Sequence, residues 1–322
     1  MTNDKLRMAV SQQATKAGAC MTLRTETLPI DLGRERRRAL DFLALTKPRM
    51  VVMILVTTFV GFYLGSAGVA VDTLRLIHTL LGTALAAAGT LALNQFLERE
   101  VDAKMERTRP RPLPEGRLQP GEALAFGTMA TVAGLLYLGL SVNAVSGLVT
   151  AFTVVSYLFV YTPLKRRTAL CSVLGAIPGA LPPVTGWVAA RGDFGPGAWV
   201  LFAILFLWQL PHSLAIGWLY RADYARAGIR LLPVIEPDGC STGRMIVSSC
   251  LALLAAGLLP TLIGMAGSLY FLGALALGAG LLVCGIILAV SRSAADARRL
   301  VFASLVYLPA LLVLMALNKV PF

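Results

Sequence analysis

Nine blocks of apolar residues, each close to twenty long, leave this chain one main way to fold. They fall at about 50–67, 74–96, 122–141, 144–161, 170–190, 198–219, 245–266, 269–290 and 300–318. A helix of roughly twenty apolar residues crosses the hydrocarbon core of a bilayer. In lipid a helix also satisfies its own backbone polar groups, which an open strand cannot do. The expected fold class is therefore an all-α membrane protein with nine transmembrane helices. Composition agrees: 57% of the 322 residues are hydrophobic and 14% are charged, against roughly 25% charged in average soluble chains.

The net charge of +12 would suit a nucleic-acid binder, but its distribution gives another reason for it. With the N-terminus in the cytoplasm, the inner connections 97–121, 162–169, 220–244 and 291–299 carry 6, 3, 4 and 3 Lys+Arg, and the N-terminal tail carries 10. The outer side keeps only Arg75, Arg191 and Lys319. This is a positive-inside bias. It sets the N-terminus in the cytoplasm and the C-terminus in the periplasm, and it removes the argument for nucleic acid as a partner. Five scattered cysteines, Cys20, Cys171, Cys240, Cys250 and Cys284, have neither metal-ligand spacing nor a disulfide pattern. Residues 1–40 lack an apolar signal core and read as a basic, mostly disordered cytoplasmic tail, with 41–322 as one polytopic domain. The stretch "GRERRRALDFLALTKPR" reads as a basic amphipathic segment on anionic membrane lipid. The short basic tail favours a bacterial inner membrane.

The second apolar block ends in "NQFLEREVDAKMERTRPRPLPEGRL", from Asn94 to Leu118. Asn94, Glu98 and Asp102 recur every four residues, so a helix stacks them on one face. Like charges at that spacing repel, and ionisable groups near lipid face protein-lined cavities. Two carboxylates and an amide oxygen make a hard donor set suited to Mg²⁺. A solvated helix end with surface ion pairs explains the acids equally simply, but not Asn94, whose amide lies within the apolar block and needs partners. Arg107 and Arg111 follow among prolines that stop the helix and stiffen the chain. Arginine suits bidentate phosphate binding, and metal-binding acids beside phosphate-binding arginines suggest a diphosphate–metal site. Read alone, the arginines are a positive-inside flank.

A second inner segment supplies matching parts. In "WQLPHSLAIGWLYRADYARAGIRLLP", Pro211 interrupts the sixth block and His212 follows inside it. A lone intramembrane histidine is either functional or a hydrogen-bonded core residue. Asp223 lies just past the block, at the same membrane face as the first acidic row. "YTPLKRRT" brings Tyr161, Lys165 and Arg166 to that face as well; a topogenic role explains its bases equally well.

These motifs, in this order over about 45–318, resemble the protohaem IX farnesyltransferases (haem O synthases), a branch of the UbiA-type intramembrane prenyltransferases. The resemblance implies nine helices around a central cavity open to the cytoplasm, and Mg²⁺-dependent chemistry on farnesyl diphosphate with haem b as the second substrate. It assigns Asn94, Glu98 and Asp102 to the first polar motif, Tyr161 and Lys165 to a Tyr-x-x-x-Lys element, and Asp223 to the second acidic motif. The implied metal set is Asn94, Glu98, Asp102 and Asp223. The implied diphosphate set is Arg107, Arg111, Lys165 and Arg166. Tyr161, His212 and Tyr224 are the acceptor-side candidates. Ala222 stands where many of the haem enzymes have an acid, and Pro110 replaces a usual polar residue. A haem A synthase or haem-copper oxidase assembly is the implied downstream partner.

Two classes of alternative stay open at this point. A sister enzyme acting on a quinone precursor or a chlorophyll-like acceptor would share the polar motifs. A transporter or a scaffold would not need acids and phosphate-binding bases gathered at one face.

Overall fold

The computed structural model of the protein describes residues 32–320. Most of the expected tail, residues 1–31, lies outside the described residues. Of the remainder of that tail, residues 32–40 belong to the first helix, α1 (Leu32–Leu45). Nine helices among the described residues are long and apolar enough to cross a membrane, as the nine apolar blocks predict.

Lys47 has the left-handed φ of 49°, and this turns the chain from α1 into α2 (Pro48–Gly65), which starts on its proline. The following helix, α3 (Thr73–Asp102), has 30 residues. At 1.5 Å per residue it spans about 45 Å, more than the roughly 30 Å hydrocarbon core. Its length leaves room for the last turns, where the acids are, to extend past the hydrocarbon core. After the 103–119 loop come α4 (Pro120–Ser141) and α5 (Ala144–Val155). A π-helical turn, Ser156–Tyr161, and a short turn, Thr162–Leu164, extend α5 into one span.

The fifth span is broken at Leu181–Pro182–Pro183 into α6 (Cys171–Ala180) and α7 (Pro182–Arg191). A proline there has no backbone donor and clashes with the preceding turn. The next span, α8 (Pro196–Leu219), carries Pro211 inside it, and the short helices α9 (Arg221–Arg226) and α10 (Leu232–Ile235) follow at the cytoplasmic end. The last three spans are α11 (Cys240–Leu262), α12 (Ser268–Ser291) and α13 (Ala294–Leu317).

Neighbouring spans pack in pairs: α3 on α4, α2 on α7, α11 on α12, and α8 against both α11 and α13. The α2–α7 contact is backbone against backbone. A Cβ on Gly61 would stand 2.0 Å from Pro183 O, and one on Gly186 would stand 1.9 Å from Thr58 O. Without a water-driven hydrophobic effect between helices in lipid, such small-residue contacts let dispersion hold them together. The C-terminal end ties back to the first span, where Lys319 Nζ donates to Tyr63 O at 2.5 Å.

Candidate active site

The acidic row of α3 and the end of α5 face each other across a cavity of about 180 Å³ at the expected cytoplasmic end of the spans. Lys47, Asn94, Glu98, Asp102, Tyr157 and Lys165 line it, together with Arg107 and Arg111 from the loop. The i, i+4, i+8 spacing does place the three α3 groups on one face, and each has met a cation. Lys165 Nζ donates to Glu98 Oε1 at 2.8 Å. Arg111 Nη1 donates to Asp102 Oδ2 at 2.5 Å. Lys47 Nζ donates to Asn94 Oδ1 at 3.3 Å.

Asn94 has the partners that its depth demands. Its Nδ2 donates to Thr162 Oγ1 at 3.2 Å, and the Tyr157 hydroxyl donates to its Oδ1 at 3.5 Å. Thr162 Oγ1 in turn donates to Tyr157 O at 2.9 Å, a carbonyl within the π-helical turn. Single π turns are often found at functional sites; here the turn brings Tyr157, Tyr161 and Lys165 of one span to the same cavity.

The loop that carries the arginines is folded and anchored at both ends. Thr108 Oγ1 donates to Asp102 O at 2.8 Å, and Arg111 N donates to Thr108 O at 3.1 Å, which sets Arg111 over the acidic row. Further on, Arg117 pairs with Asp41 of α1 and donates to Pro110 O at 2.9 Å. Next to Asn94, Gln95 Nε2 donates to Leu45 O at 2.7 Å and so caps the end of α1. The α1–α2 turn is thereby fixed against the site helix, and Lys47 enters the cavity from that turn. Burial, with Arg111 and Lys165 nearby, pushes the Lys47 ammonium down to about 8.

Several residues singled out in the sequence sit differently from the simplest expectation. Arg107 lines the cavity, but its guanidinium is held over the rings of Tyr220 and Tyr224, at 5.1 and 5.5 Å, and donates to the Tyr224 hydroxyl at 3.0 Å. Tyr161 and Tyr224 line the cavity wall. Arg166 is exposed and outside that wall. Asp223 is buried, but its carboxylate accepts from Arg226 and from Glu106 N at 3.4 Å, apart from the cavity lining. Arg226 also reaches Glu106 Oε1 at 3.1 Å, so Asp223 clasps the two inner loops together. His212 lies in α8 away from this wall; its Nδ1 is 2.7 Å from Ser304 Oγ, and its ring stacks on Trp208 at 5.0 Å. Lys47 and Tyr157 are site residues that the sequence motifs do not announce. The "TKPR" before the first block and the i, i+4 repeat Tyr157–Tyr161–Lys165 are the traces they leave.

The donor set fits a hard divalent cation in its chemistry: the buried carboxylate of Asp102, the half-buried one of Glu98 and the buried amide oxygen of Asn94 in one polar cavity. Among the described residues, no cluster of three acids, histidines or cysteines gathers in metal-binding range. The candidate set is therefore Glu98, Asp102 and Asn94, each now facing a side-chain cation that a metal would displace. With Lys47, Lys165 and Arg111 so displaced, the same cavity would offer a cationic lining to an anionic group beside the metal.

The chain is similar to known proteins over most of its length. The model of the UbiA prenyltransferase family matches residues 54–306. A protein of Solibacter usitatus named protoheme IX farnesyltransferase is 50% identical over 287 residues, covering 87% of this chain and 98% of the relative. One of the same name from Koribacter versatilis is 43% identical, covering 87% and 93%. Among solved structures, a UbiA homolog from Archaeoglobus fulgidus bound to GPP and Mg²⁺ superposes with a TM-score of 0.61 at 16% identity, covering 85% and 99% of the two chains. A UbiA homolog from Aeropyrum pernix K1 reaches a TM-score of 0.64 at 18% identity, covering 82% and 98%. These structures share the helical fold.

Proposed function

The chain belongs to the UbiA prenyltransferase family, and from that premise we propose that it transfers the farnesyl group of farnesyl diphosphate to a vinyl group of protohaem IX, giving haem O and diphosphate. The observation that carries this reading is the cavity in which Glu98 and Asp102 face Lys165 and Arg111 at the mouth of an apolar helical bundle. The names of relatives at 37–50% identity over most of their length supply the acceptor.

Glu98, Asp102 and Asn94 are assigned to Mg²⁺, with Asp223 available from the second loop once Arg226 releases it. Bound there, the metal supplies Lewis-acid neutralisation of the diphosphate. Lys165, Arg111 and Lys47 bind the remaining phosphate oxygens, and Arg107 adds its charge from the tyrosine pair. Arg166 is kept as an outer contribution to the local positive field. These fixed charges stabilise the electron pair that leaves with diphosphate when the allylic C–O bond breaks. The vinyl π electrons form the new C–C bond to the farnesyl carbon. Water adds to the cationic carbon left beside the porphyrin and loses one proton, so atoms and charge balance. The lipid-facing helices keep bulk water from the allyl cation before capture. His212, with Tyr161 and Tyr224, is assigned to the acceptor side. Haem enters as substrate.

The protein is an integral membrane protein, and we place it in a bacterial inner membrane with the cavity toward the cytoplasm, on the distribution of Lys and Arg. A haem A synthase or haem-copper oxidase assembly would consume the product. Residues 1–40 are assigned as a tail preceding the polytopic domain. The test is pigment analysis of purified enzyme given haem b, farnesyl diphosphate and Mg²⁺. Haem O is the expected product. Diphosphate release only with a quinone precursor would move the chain to a sister specificity, and no release with any acceptor would remove the enzymatic reading.

A further inference from the structure

Two tyrosines one turn apart line the cavity, and they are used differently. Lys165 Nζ stands 4.4 Å from the centroid of the Tyr161 ring. That face is committed to holding the lysine between the ring and Glu98. The Tyr157 ring lies 5.4 Å from the Tyr161 ring at an angle of 42°. Among the described residues no lysine or arginine is recorded over the Tyr157 ring. Its hydroxyl donates to Asn94 Oδ1 at 3.5 Å, an oxygen that Lys47 Nζ also meets at 3.3 Å, so the ring is held in place by its edge and the lysine lies at that edge.

Depth gives that ring its meaning. Asn94 lies four residues before Glu98, about 6 Å toward the membrane interior along α3. Tyr157, bonded to Asn94, sits at the same level. An allylic diphosphate with its phosphates among Glu98, Lys165 and Arg111 and its chain in the apolar interior has its reacting carbon at the boundary between the two. That boundary is where Asn94 and Tyr157 meet.

We propose that the ring face of Tyr157 receives the allylic cation formed when the C–O bond breaks, while the Tyr161 face that holds Lys165 is not free to do so. The inference rests on the prenyl-transfer reading above. On heterolysis the bonding pair leaves with diphosphate, and the positive charge spreads over the allylic carbons until the acceptor's π pair closes the new bond. An aromatic face attracts a desolvated cation through its quadrupole. It is a weak partner for the neutral ground-state chain, so the attraction grows toward the transition state, which is the condition for raising kcat. Unlike a carboxylate, the ring cannot trap the cation as an ester.

The experiment uses the full-length enzyme in detergent or nanodiscs, with phenylalanine and its mono-, di- and trifluorinated forms placed at position 157. Fluorine withdraws charge from the ring face at nearly constant volume. Tyr157→Phe, which keeps the ring and loses the Asn94 contact, is the reference for the series. Across the fluorinated series log kcat should fall steadily, to roughly thirtyfold below the phenylalanine form, the size of a desolvated cation–π contact, with KM for farnesyl diphosphate nearly constant. The same substitutions at position 161, which act through Lys165, should raise KM for farnesyl diphosphate and give a shallower fluorine trend in kcat than at 157. A flat series at 157, or a trend in KM alone, overturns the assignment while wild-type turnover keeps the functional reading. A wild type that releases no diphosphate from any allylic diphosphate overturns both.

Discussion

Lys165 Nζ rests 2.8 Å from Glu98 Oε1, joining the end of one span to the acidic row of another where both side chains are largely withdrawn from solvent. Each charge is tolerated there because of the other. Truncating one partner of a buried pair leaves a lone charge, typically at a cost of about 3–5 kcal/mol. Lys165→Met should therefore lower the melting temperature of the detergent-solubilised protein markedly. Adding Glu98→Gln to it should restore most of that loss while activity stays well below wild type. A double variant that melts as low as the two losses added together would mean the pair is not coupled in the folded protein.

The buried Lys47 gives a prediction in pH. Its ordinary value of 10.5 is lowered to about 8, mainly by burial and then by Arg111 and Lys165. Below about pH 8 the folded protein must hold a charge it disfavours, whereas the unfolded chain holds it freely. Between about 8 and 10.5 the unfolded state binds more protons than the folded one, so this group's contribution to stability rises with pH. Lys47→Met removes the penalty. In metal-free protein the variant should gain on the wild type most at pH 7, and the gain should shrink toward pH 10. A difference in melting temperature that is constant over that range would show that Lys47 does not titrate as its setting requires.

Sequence periodicity was sufficient for the nine spans, because length and apolarity alone govern what can cross lipid. It also found the Asn94–Glu98–Asp102 face, since four-residue spacing on a helix needs no tertiary information. It did not separate Lys165 from Arg166: both are basic and adjacent, and only the rotation of the helix end decides that Lys165 faces Glu98 and Arg166 faces out. Lys47 was hidden for a related reason. Its entry into the cavity depends on a left-handed turn and on Gln95 holding the end of α1, both products of tertiary packing. Tyr157 lies in the apolar run "SYLFVY", where no pattern marks a π turn. The sequence puts Asp223 at the same end of the helices as the acidic row, and its contact with Glu106 N agrees, but its engagement by Arg226 and Glu106 follows from how two distant loops fold together.

The α2–α7 contact predicts which glycines the fold cannot spare. A methyl group on Gly186 would meet the Thr58 carbonyl at 1.9 Å, whereas one on Gly139 meets nothing within 4 Å. Gly186→Ala must push two spans apart, and overpacking of this kind costs about 1–3 kcal/mol or more. Gly139→Ala in the last turn of α4 should be neutral or slightly stabilising, since alanine is the better helix former. Parallel thermal melts of the two variants check this. Equal melting temperatures would mean that the two spans do not approach as closely as the structure has them.

The pairing of Lys165 with Glu98 also sets how metal and phosphate roles divide. In the metal-free state the lysine ammonium and a divalent cation compete for the same carboxylate. Glu98→Gln removes a charged ligand and should raise the Mg²⁺ concentration needed for half-maximal haem O formation. Lys165→Ala removes the competitor, so at saturating farnesyl diphosphate that midpoint should stay level or fall. The lysine variant should instead lose farnesyl diphosphate use. Loss of a charge-assisted hydrogen bond, about 1.5–3 kcal/mol, corresponds to roughly ten- to a hundred-fold in kcat/KM if it is felt in the transition state. Removing metal with a chelator should stop turnover in every variant and be reversed by added Mg²⁺. The deciding measurement is a Mg²⁺ titration of both variants beside the wild type. A midpoint raised equally by Glu98→Gln and Lys165→Ala would show that the two residues act on the metal as one unit, and the separate assignment of Lys165 to diphosphate would fall.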